Sequence, residues 1–191
     1  MAPSAREAKR LMRIRLAARP NVIKHTELVT KKALEIGNIL RKKGVPVNLE
    51  LLETGSYLHD IGRSITHGPV HGFVGGQILR ELGYPESLIN LVERHVGAGI
   101  TTEEAIKMGL PKRDFLPNTI EEKILAYADK FVESELVFGS ENGEETVIRN
   151  DIMYDSIEPT LYRFRKIFGD KSPIILRLEN LRKEMEELIK L

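Results

Sequence analysis

The histidines of this chain are concentrated in one stretch, and two acids stand beside apolar segments. The five histidines are His25, His59, His67, His71 and His95. Asp60 ends the apolar stretch 51–58, and Asp129 ends a second one at 124–128. Burying a carboxylate there is costly unless it is paired or binds a cation. Imidazole and carboxylate donors together suit divalent metals. The sequence therefore predicts a metal site, and a buried ion pair of Asp129 with an arginine is the alternative.

Composition narrows the class of protein. The absence of cysteine excludes disulfides, thiolate zinc sites and cysteine nucleophiles. A length of 191 residues fits one domain, 1–191, and a net charge of +1 does not favour a nucleic-acid binder. No stretch approaches the roughly 20 apolar residues of a membrane span. We expect a cytoplasmic protein whose partner is a small molecule rather than a membrane or a nucleic acid.

The candidate residues must be positioned by helices, because apolar residues recur at helical spacing and strand alternation is almost absent. The pattern predicts an all-α, single-domain helical bundle. One helix spans about 21–43 and carries His25. Another begins at Asn48 and ends with the His59-Asp60 pair, and a third ends at His95. Asn118-Thr119 begins a helix that carries Asp129 and continues through Val132.

The last part of the chain is predicted to be helical as well, over about 144–190. A charged turn at 141–145 precedes one helix, and Ser172-Pro173 begins the last one. Apolar residues in that last helix follow the spacing of a short coiled-coil seam: Ile174, Leu178, Leu181, Met185 and Leu188. The seam spans only about two heptads where three or four are needed. Packing on the core is therefore favoured, and a homodimer stays open.

A family resemblance rests on residues 57–63, Tyr-Leu-His-Asp-Ile-Gly-Arg. They resemble the signature of the HD-domain metal-dependent phosphohydrolases, whose pattern is a His, a His-Asp pair and a distant Asp. His25 matches the first position, His59 and Asp60 match the pair, and Asp129 matches the last. The resemblance covers about 20–135. It implies a helical bundle of the HD-domain type around one or two divalent ions, with Mn, Fe, Ni, Co, Mg and Zn not distinguished.

Two further histidines resemble a subgroup that binds two metals. His71 precedes Gly75 by four residues, as in that subgroup, and His95 ends the next helix. The resemblance implies that Asp60 bridges the two ions. His67 lies four residues before His71 and is the alternative ligand, or a substrate contact.

The resemblance implies hydrolysis of a nucleotide or another phosphoester by metal-activated water. A divalent ion lowers the pKa of bound water from about 15.7 towards 7. The developing charge needs cations, and Arg63, Arg94 and Lys130 each adjoin a proposed ligand. We expect Asp60, Arg63 and Lys130 to be catalytic and Arg94 to contact the substrate. Two alternatives remain: an HD-fold di-iron oxygenase and a non-catalytic nucleotide-sensing module.

Overall fold

The computed structural model describes residues 2–141 and 144–190, and in these ranges the fold is all-α apart from one hairpin. The helices are α1 (Ala5–Arg15), α2 (Pro20–Lys42), α3 (Leu49–Leu58), α4 (His71–Glu81), α5 (Glu86–Glu93), α6 (Thr102–Lys107), α7 (Ile120–Ala128), α8 (Glu158–Phe168) and α9 (Pro173–Lys190). Short 3-10 turns at Ile61–Ser64 and Asp129–Phe131 follow α3 and α7. The predicted all-α class is confirmed.

Several helices begin where polar side chains cap them. The Asn48 side chain accepts a hydrogen bond from the Leu51 amide at the start of α3. Thr101 and Thr119 form reciprocal capping boxes with glutamates at the starts of α6 and α7. Such caps satisfy backbone donors that have no partner within the helix, and each contributes about 1 kcal/mol. The starts of α3 and α7 matter most here, because their ends carry His59 and Asp129.

Helix α7 lies at the centre of the main core. Its apolar residues, such as Ile124 and Leu125, are fully buried among side chains of α2 and α9. A second cluster joins α1, α3, α4 and α5, with Leu58 and Leu79 fully buried. The α9 residues Leu178 and Met185 belong to the main core, so the apolar seam of α9 packs within the chain, as favoured above.

Residues 132–141 and 144–153 form strands rather than helix, which corrects the sequence analysis. Strand β1 (Val132–Glu141) pairs antiparallel with β2 (Glu144–Met153), in a register that places Val132 opposite Met153. Helix α7 ends at Ala128 rather than at the predicted Val132. The next helix, α8, begins only at Glu158 rather than near residue 144. The segment is rich in β-branched residues, which favour strands. It also contains Asn-Gly at 142–143, a sequence typical of two-residue hairpin turns.

One expectation concerned membranes. Within residues 2–141 and 144–190, no helix combines the length and the apolar character needed to cross a bilayer.

Candidate metal centre

Five elements bring the predicted ligands together at one end of the bundle. His25 lies in the first half of α2, and His59 is the C-cap of α3, followed directly by Asp60. His71 is the first residue of α4, His95 follows the end of α5, and Asp129 caps α7. Most ligands therefore lie at helix ends, where the chain can leave the helix and aim a side chain at a shared point.

The ligand atoms form two groups that share Asp60. His25, His59 and Asp60 form one group, and Asp60, His71 and His95 form the other. Oδ2 of Asp60 lies 3.9 Å from Nε2 of His25 and 3.8 Å from Nε2 of His59. Oδ1 of the same carboxylate lies 3.1 Å from Nε2 of His71 and 3.7 Å from Nε2 of His95. Each oxygen thus faces a different pair of imidazoles.

Asp129 joins the first group. Its Oδ1 lies 2.9 Å from Nε2 of His25 and 3.8 Å from Nε2 of His59. The other oxygen, Oδ2, accepts a hydrogen bond from the buried ammonium of Lys130. Lys130 therefore fixes the orientation of Asp129 and compensates its charge. The ion pair envisaged as the alternative to metal binding exists, but its cation is the neighbouring lysine, and Oδ1 still faces the histidines.

Three of the histidines are held in one tautomer by the backbone. Nδ1 of His59 donates to the carbonyl of Ser56 at 2.7 Å, and Nδ1 of His95 donates to Val92 at 2.6 Å. Nδ1 of His71 donates to Gly68 at 2.8 Å. A carbonyl only accepts, so the ring proton lies on Nδ1 and the neutral imidazole presents a lone pair at Nε2. Metal-ligating histidines are commonly oriented by such a bond.

The Nε2 lone pairs of these histidines face one another and the Asp60 carboxylate. Their separations indicate whether the residues fit a metal ion. Nε2 of His71 lies 3.0 Å from Nε2 of His95 and 3.1 Å from Oδ1 of Asp60. Among the described residues, Nε2 of His59 and Oδ1 of Asp60 are buried and have no hydrogen-bond partner. Acceptors at these distances repel one another unless a positive charge lies between them. The donor set therefore fits divalent cations with nitrogen and oxygen ligands.

Burial favours the neutral form of two of these imidazoles, His59 and His95. It lowers the pKa of His59 to about 3 and also lowers the pKa of His95. For His25, burial acts in the same direction, but the hydrogen bond and the charge of Asp129 outweigh it and raise the pKa. Burial would raise the pKa of Asp129, yet the charge of Lys130 and the contact with His25 hold it well below its usual value. The carboxylates are therefore ionised and available as ligands.

The structure also places the other predicted site residues. Arg63 donates from Nε to Oδ2 of Asp60 at 2.7 Å, so its guanidinium reaches the ligand cluster. His67 lines the cavity above the ligands and contacts Arg19, whereas His71 lies against Asp60. Arg94 is not brought to the site, because its guanidinium donates to Glu122 at 3.0 Å. The two side chains at the end of α5 point in different directions, and only His95 faces the cluster.

Sequence reasoning missed a further carboxylate near the cluster, beyond Asp60 and Asp129. Asp151 on β2 is buried and lines the same cavity, with Oδ1 accepting from the hydroxyl of Ser134 on β1. Its charge contributes to raising the pKa of His25, against the lowering effect of burial. An acid within a β-branched segment would have been the signal, but this segment was assigned to a helix.

A cavity of about 650 Å³ opens above the ligand cluster. Its floor includes His25, Asp60, His71, His95 and Asp129. Arg63 and Lys130 stand beside them, and the rest of the wall comes from the loop 96–100, α6, the hairpin, α8 and the start of α9. The predicted ligands therefore line a cavity of small-molecule size.

Comparisons with known proteins agree with this geometry. A family model described as HD domain matches residues 22–133. The chain is 44% identical over 170 residues to the uncharacterized protein MJ0778 of Methanocaldococcus jannaschii, across 89% of this chain and 90% of that protein. It is 43% identical over 111 residues to the tRNA (cytidine(56)-2'-O)-methyltransferase of Picrophilus torridus. That match covers 58% of this chain but only 31% of the methyltransferase.

A solved structure resembles part of the chain. The crystal structure of the L. monocytogenes phosphodiesterase PgpH HD domain aligns with a TM-score of 0.48 at 20% identity. The alignment covers 63% of this chain and 71% of that one. The family-model match, which spans more than half of the chain, carries the assignment. The chain belongs to the HD-domain family.

Proposed function

We propose that this protein hydrolyses a small phosphoester, such as a nucleotide, with two divalent metal ions. The observation that carries the proposal is the pair of ligand groups that share Asp60 beneath one open cavity. His25, His59, Asp60 and Asp129 would hold one ion, and Asp60, His71 and His95 would hold the other. When bound, divalent ions supply a water of lowered pKa and polarise a phosphoryl oxygen.

The surrounding residues have distinct tasks in this proposal. Asp60 serves as the shared ligand, because each of its oxygens faces a different pair of histidines. Arg63 is the cation that contacts the phosphoryl group, since its guanidinium reaches Asp60 and remains partly exposed to the cavity. A guanidinium there would stabilise the charge that develops in the transition state. Lys130 acts as a positioning residue, because its ammonium is buried against Asp129.

The two-ion arrangement is more specific than the presence of histidines alone. A site for a single ion would leave one of the imidazole pairs without a cation between its lone pairs. The locked Nδ1 protons of His59, His71 and His95 mean that none of the three can donate from Nε2 while neutral. Both groups therefore favour occupation by a cation.

The first test is release of phosphate by the purified full-length protein. After metal stripping, Mn, Ni, Co, Mg, Zn or Fe(II) is added, and nucleotides, dinucleoside polyphosphates and simple phosphomonoesters and diesters are screened. We expect turnover that depends on added metal. We expect the Asp60→Ala variant to fall to the background rate and to bind less metal, because both ligand groups lose a member.

The matched control is Asp155→Ala, which removes an exposed carboxylate outside the ligand groups. It should retain wild-type metal content and turnover. Full activity of Asp60→Ala would contradict the mechanism. Metal binding without turnover on any substrate would favour the sensing module, and oxygen consumption by the iron-loaded protein would favour the oxygenase.

A further inference from the structure

The cavity is much larger than the ligand cluster needs. Its volume of about 650 Å³ lies in the range of about 300–1,000 Å³ that is typical of small-molecule sites. The ligands occupy only its floor. Residues inside and outside the family-model match line the rest of the cavity: Val96, Ile100 and Met108 lie within 22–133, whereas α8 and the start of α9 follow it. The part of the wall that α8 contributes is therefore formed outside the matched HD region.

The part of the wall that α8 contributes carries two aromatic rings. Phe164 and Phe168 stand on one face of α8, one turn apart, with ring centroids 5.7 Å apart and planes at 81°. Ile167 and Phe168 are 60% and 46% exposed, although both are large apolar side chains. Ile174 from α9 extends the same wall. Apolar surface left open inside a cavity indicates a binding surface for an apolar group.

A fixed cation adjoins the rings. The guanidinium of Arg163 donates from Nε and from its terminal amino group to the Glu133 carboxylate, at 2.8 and 2.9 Å. It lies 4.8 Å from the ring centroid of Phe164 and lines the cavity. Glu133 therefore holds the guanidinium in place beside the aromatic surface. The wall presents an aromatic edge beside a guanidinium whose charge Glu133 compensates, which suits a flat aromatic group.

We propose that Phe164 and Phe168 form an aromatic subsite that selects phosphoesters whose organic group carries a flat aromatic ring. The inference rests on the proposed function, because the ligand groups anchor the phosphoryl end while the ring packs on α8. Arg163 stands at the edge of this subsite and contacts the bound ring or its substituents. The selectivity of the protein then resides in α8, while the chemistry resides in the HD region.

The experiment compares two non-hydrolysable probes, phenylphosphonate and methylphosphonate, by calorimetry on the full-length protein. The protein is loaded with Mn²⁺, one of the ions used in the turnover screen. The wild type should bind phenylphosphonate about three- to tenfold more tightly, as expected from ring packing on an aromatic pair. In the Phe168→Ala variant this ratio should fall to about one, because the exposed ring is removed while the phosphonate anchor is unchanged.

Tyr162→Ala is the matched control. Tyr162 is an aromatic residue of the same helix, 64% exposed, that lies outside the cavity wall. The control should keep the wild-type ratio and, like Phe168→Ala, the wild-type circular dichroism. Both variants remove exposed rings, so a general effect of shortening an aromatic side chain on α8 would appear in both.

The outcomes separate this inference from the proposed function. Equal affinity of the wild type for both phosphonates overturns the aromatic subsite and leaves phosphoester hydrolysis standing. Failure of both probes to bind overturns the subsite and the proposed function together. Selective binding of phenylphosphonate that Phe168→Ala abolishes supports the subsite even where no phosphate is released. A dimer that Phe168→Ala dissociates, with an unchanged ratio, assigns the ring to self-association and overturns the subsite.

Discussion

Backbone carbonyls select the tautomer of three histidines in this chain. His59, His71 and His95 each donate from Nδ1 to the carbonyl of the residue three positions earlier. This spacing lets the ring fold back on its own turn and leaves Nε2 aimed at the cluster. Each of these three imidazoles is therefore oriented by the backbone alone, without a bound ion. Such preorganisation reduces the cost of ordering side chains when a ligand binds.

His71 and His67 can be told apart by metal content. We expect the wild type to retain about two divalent ions per chain and His71→Ala about one, because His71 contributes Nε2 to only one of the groups. His67→Ala should retain about two, since His67 lies over the cavity rather than in either group. The measurement is inductively coupled plasma mass spectrometry after dialysis. Loss of metal in His67→Ala with retention in His71→Ala would reverse the assignment.

At the scale of elements, the 3-10 turn after α3 sets the position of α4. Gly62 in that turn lies so close to α4 that an added Cβ would meet the carbonyl oxygen of His71 at 2.0 Å. The same Cβ would lie 2.6 Å from the amide nitrogen of Gly75. Both atoms belong to the backbone, so a rotamer change cannot relieve the clash. The absence of a side chain at Gly62 therefore allows α4 to present His71 to Asp60.

Gly62→Ala should destabilise the protein and weaken metal binding. Overpacking of this kind costs about 1–3 kcal/mol, and the shift of α4 would move His71 away from Asp60. Urea unfolding and metal titration measure the two effects. Gly68→Ala is the control from the same region, because its added Cβ would meet only the Thr66 hydroxyl at 3.9 Å. Equal behaviour of the two variants would contradict the packing argument.

The helices of the site were predictable because their signals are local. Asn48 and Thr119 cap α3 and α7, and the apolar spacing between cap and ligand is helical. The hairpin was missed although local signals for it exist, namely β-branched residues and Asn-Gly at 142–143, because the charged segment 141–145 also fits a helix boundary. The strand assignment depends on hydrogen bonds between β1 and β2, which spacing along the chain does not reveal.

The clustering of His25, His59, Asp60, His71, His95 and Asp129 was predictable from residue types, but the directions of neighbouring side chains were not. Arg94 and His95 are adjacent in the sequence, yet Glu122 draws the guanidinium of Arg94 away from the cavity. Glu122 comes from α7, and only the packing of α7 against α5 decides this contact. The sequence analysis missed Asp151 for the same reason, because β2 brings this residue to the cavity from a distant part of the chain.

For the whole molecule, the metal-free protein should lose stability as the pH falls. An unfolded histidine titrates near 6.5, whereas the folded pKa of His59 is about 3 and that of His95 is also lowered. Below about pH 6.5 the unfolded chain takes up protons that the folded chain does not. The free energy of unfolding therefore falls by about 1.4 kcal/mol per pH unit for each such group. His25 acts in the opposite direction, because its raised pKa contributes stability at low pH that is lost as the pH rises through that pKa. The destabilising effect of His59 and His95 at low pH outweighs the stabilising effect of His25.

Urea unfolding of the metal-stripped protein at about pH 7 and about pH 5 measures this balance. The free energy of unfolding should be lower at the acidic pH, and His59→Gln should show a smaller drop. The comparison of the drops is independent of any loss of stability that the substitution itself causes. An equal drop in the wild type and in His59→Gln would contradict the assignment.

The division of the cavity along the chain has a practical consequence for engineering. All six proposed metal ligands precede residue 130, whereas the hairpin and α8 follow it. A chimera that exchanges only residues 134–168 would replace the part of the wall that the hairpin and α8 contribute, and it would leave every proposed ligand and Ile174 of α9 in place. The junctions would fall in β1 and just after α8. Libraries confined to this stretch could therefore redirect the protein to new molecules while the reactive centre stays constant.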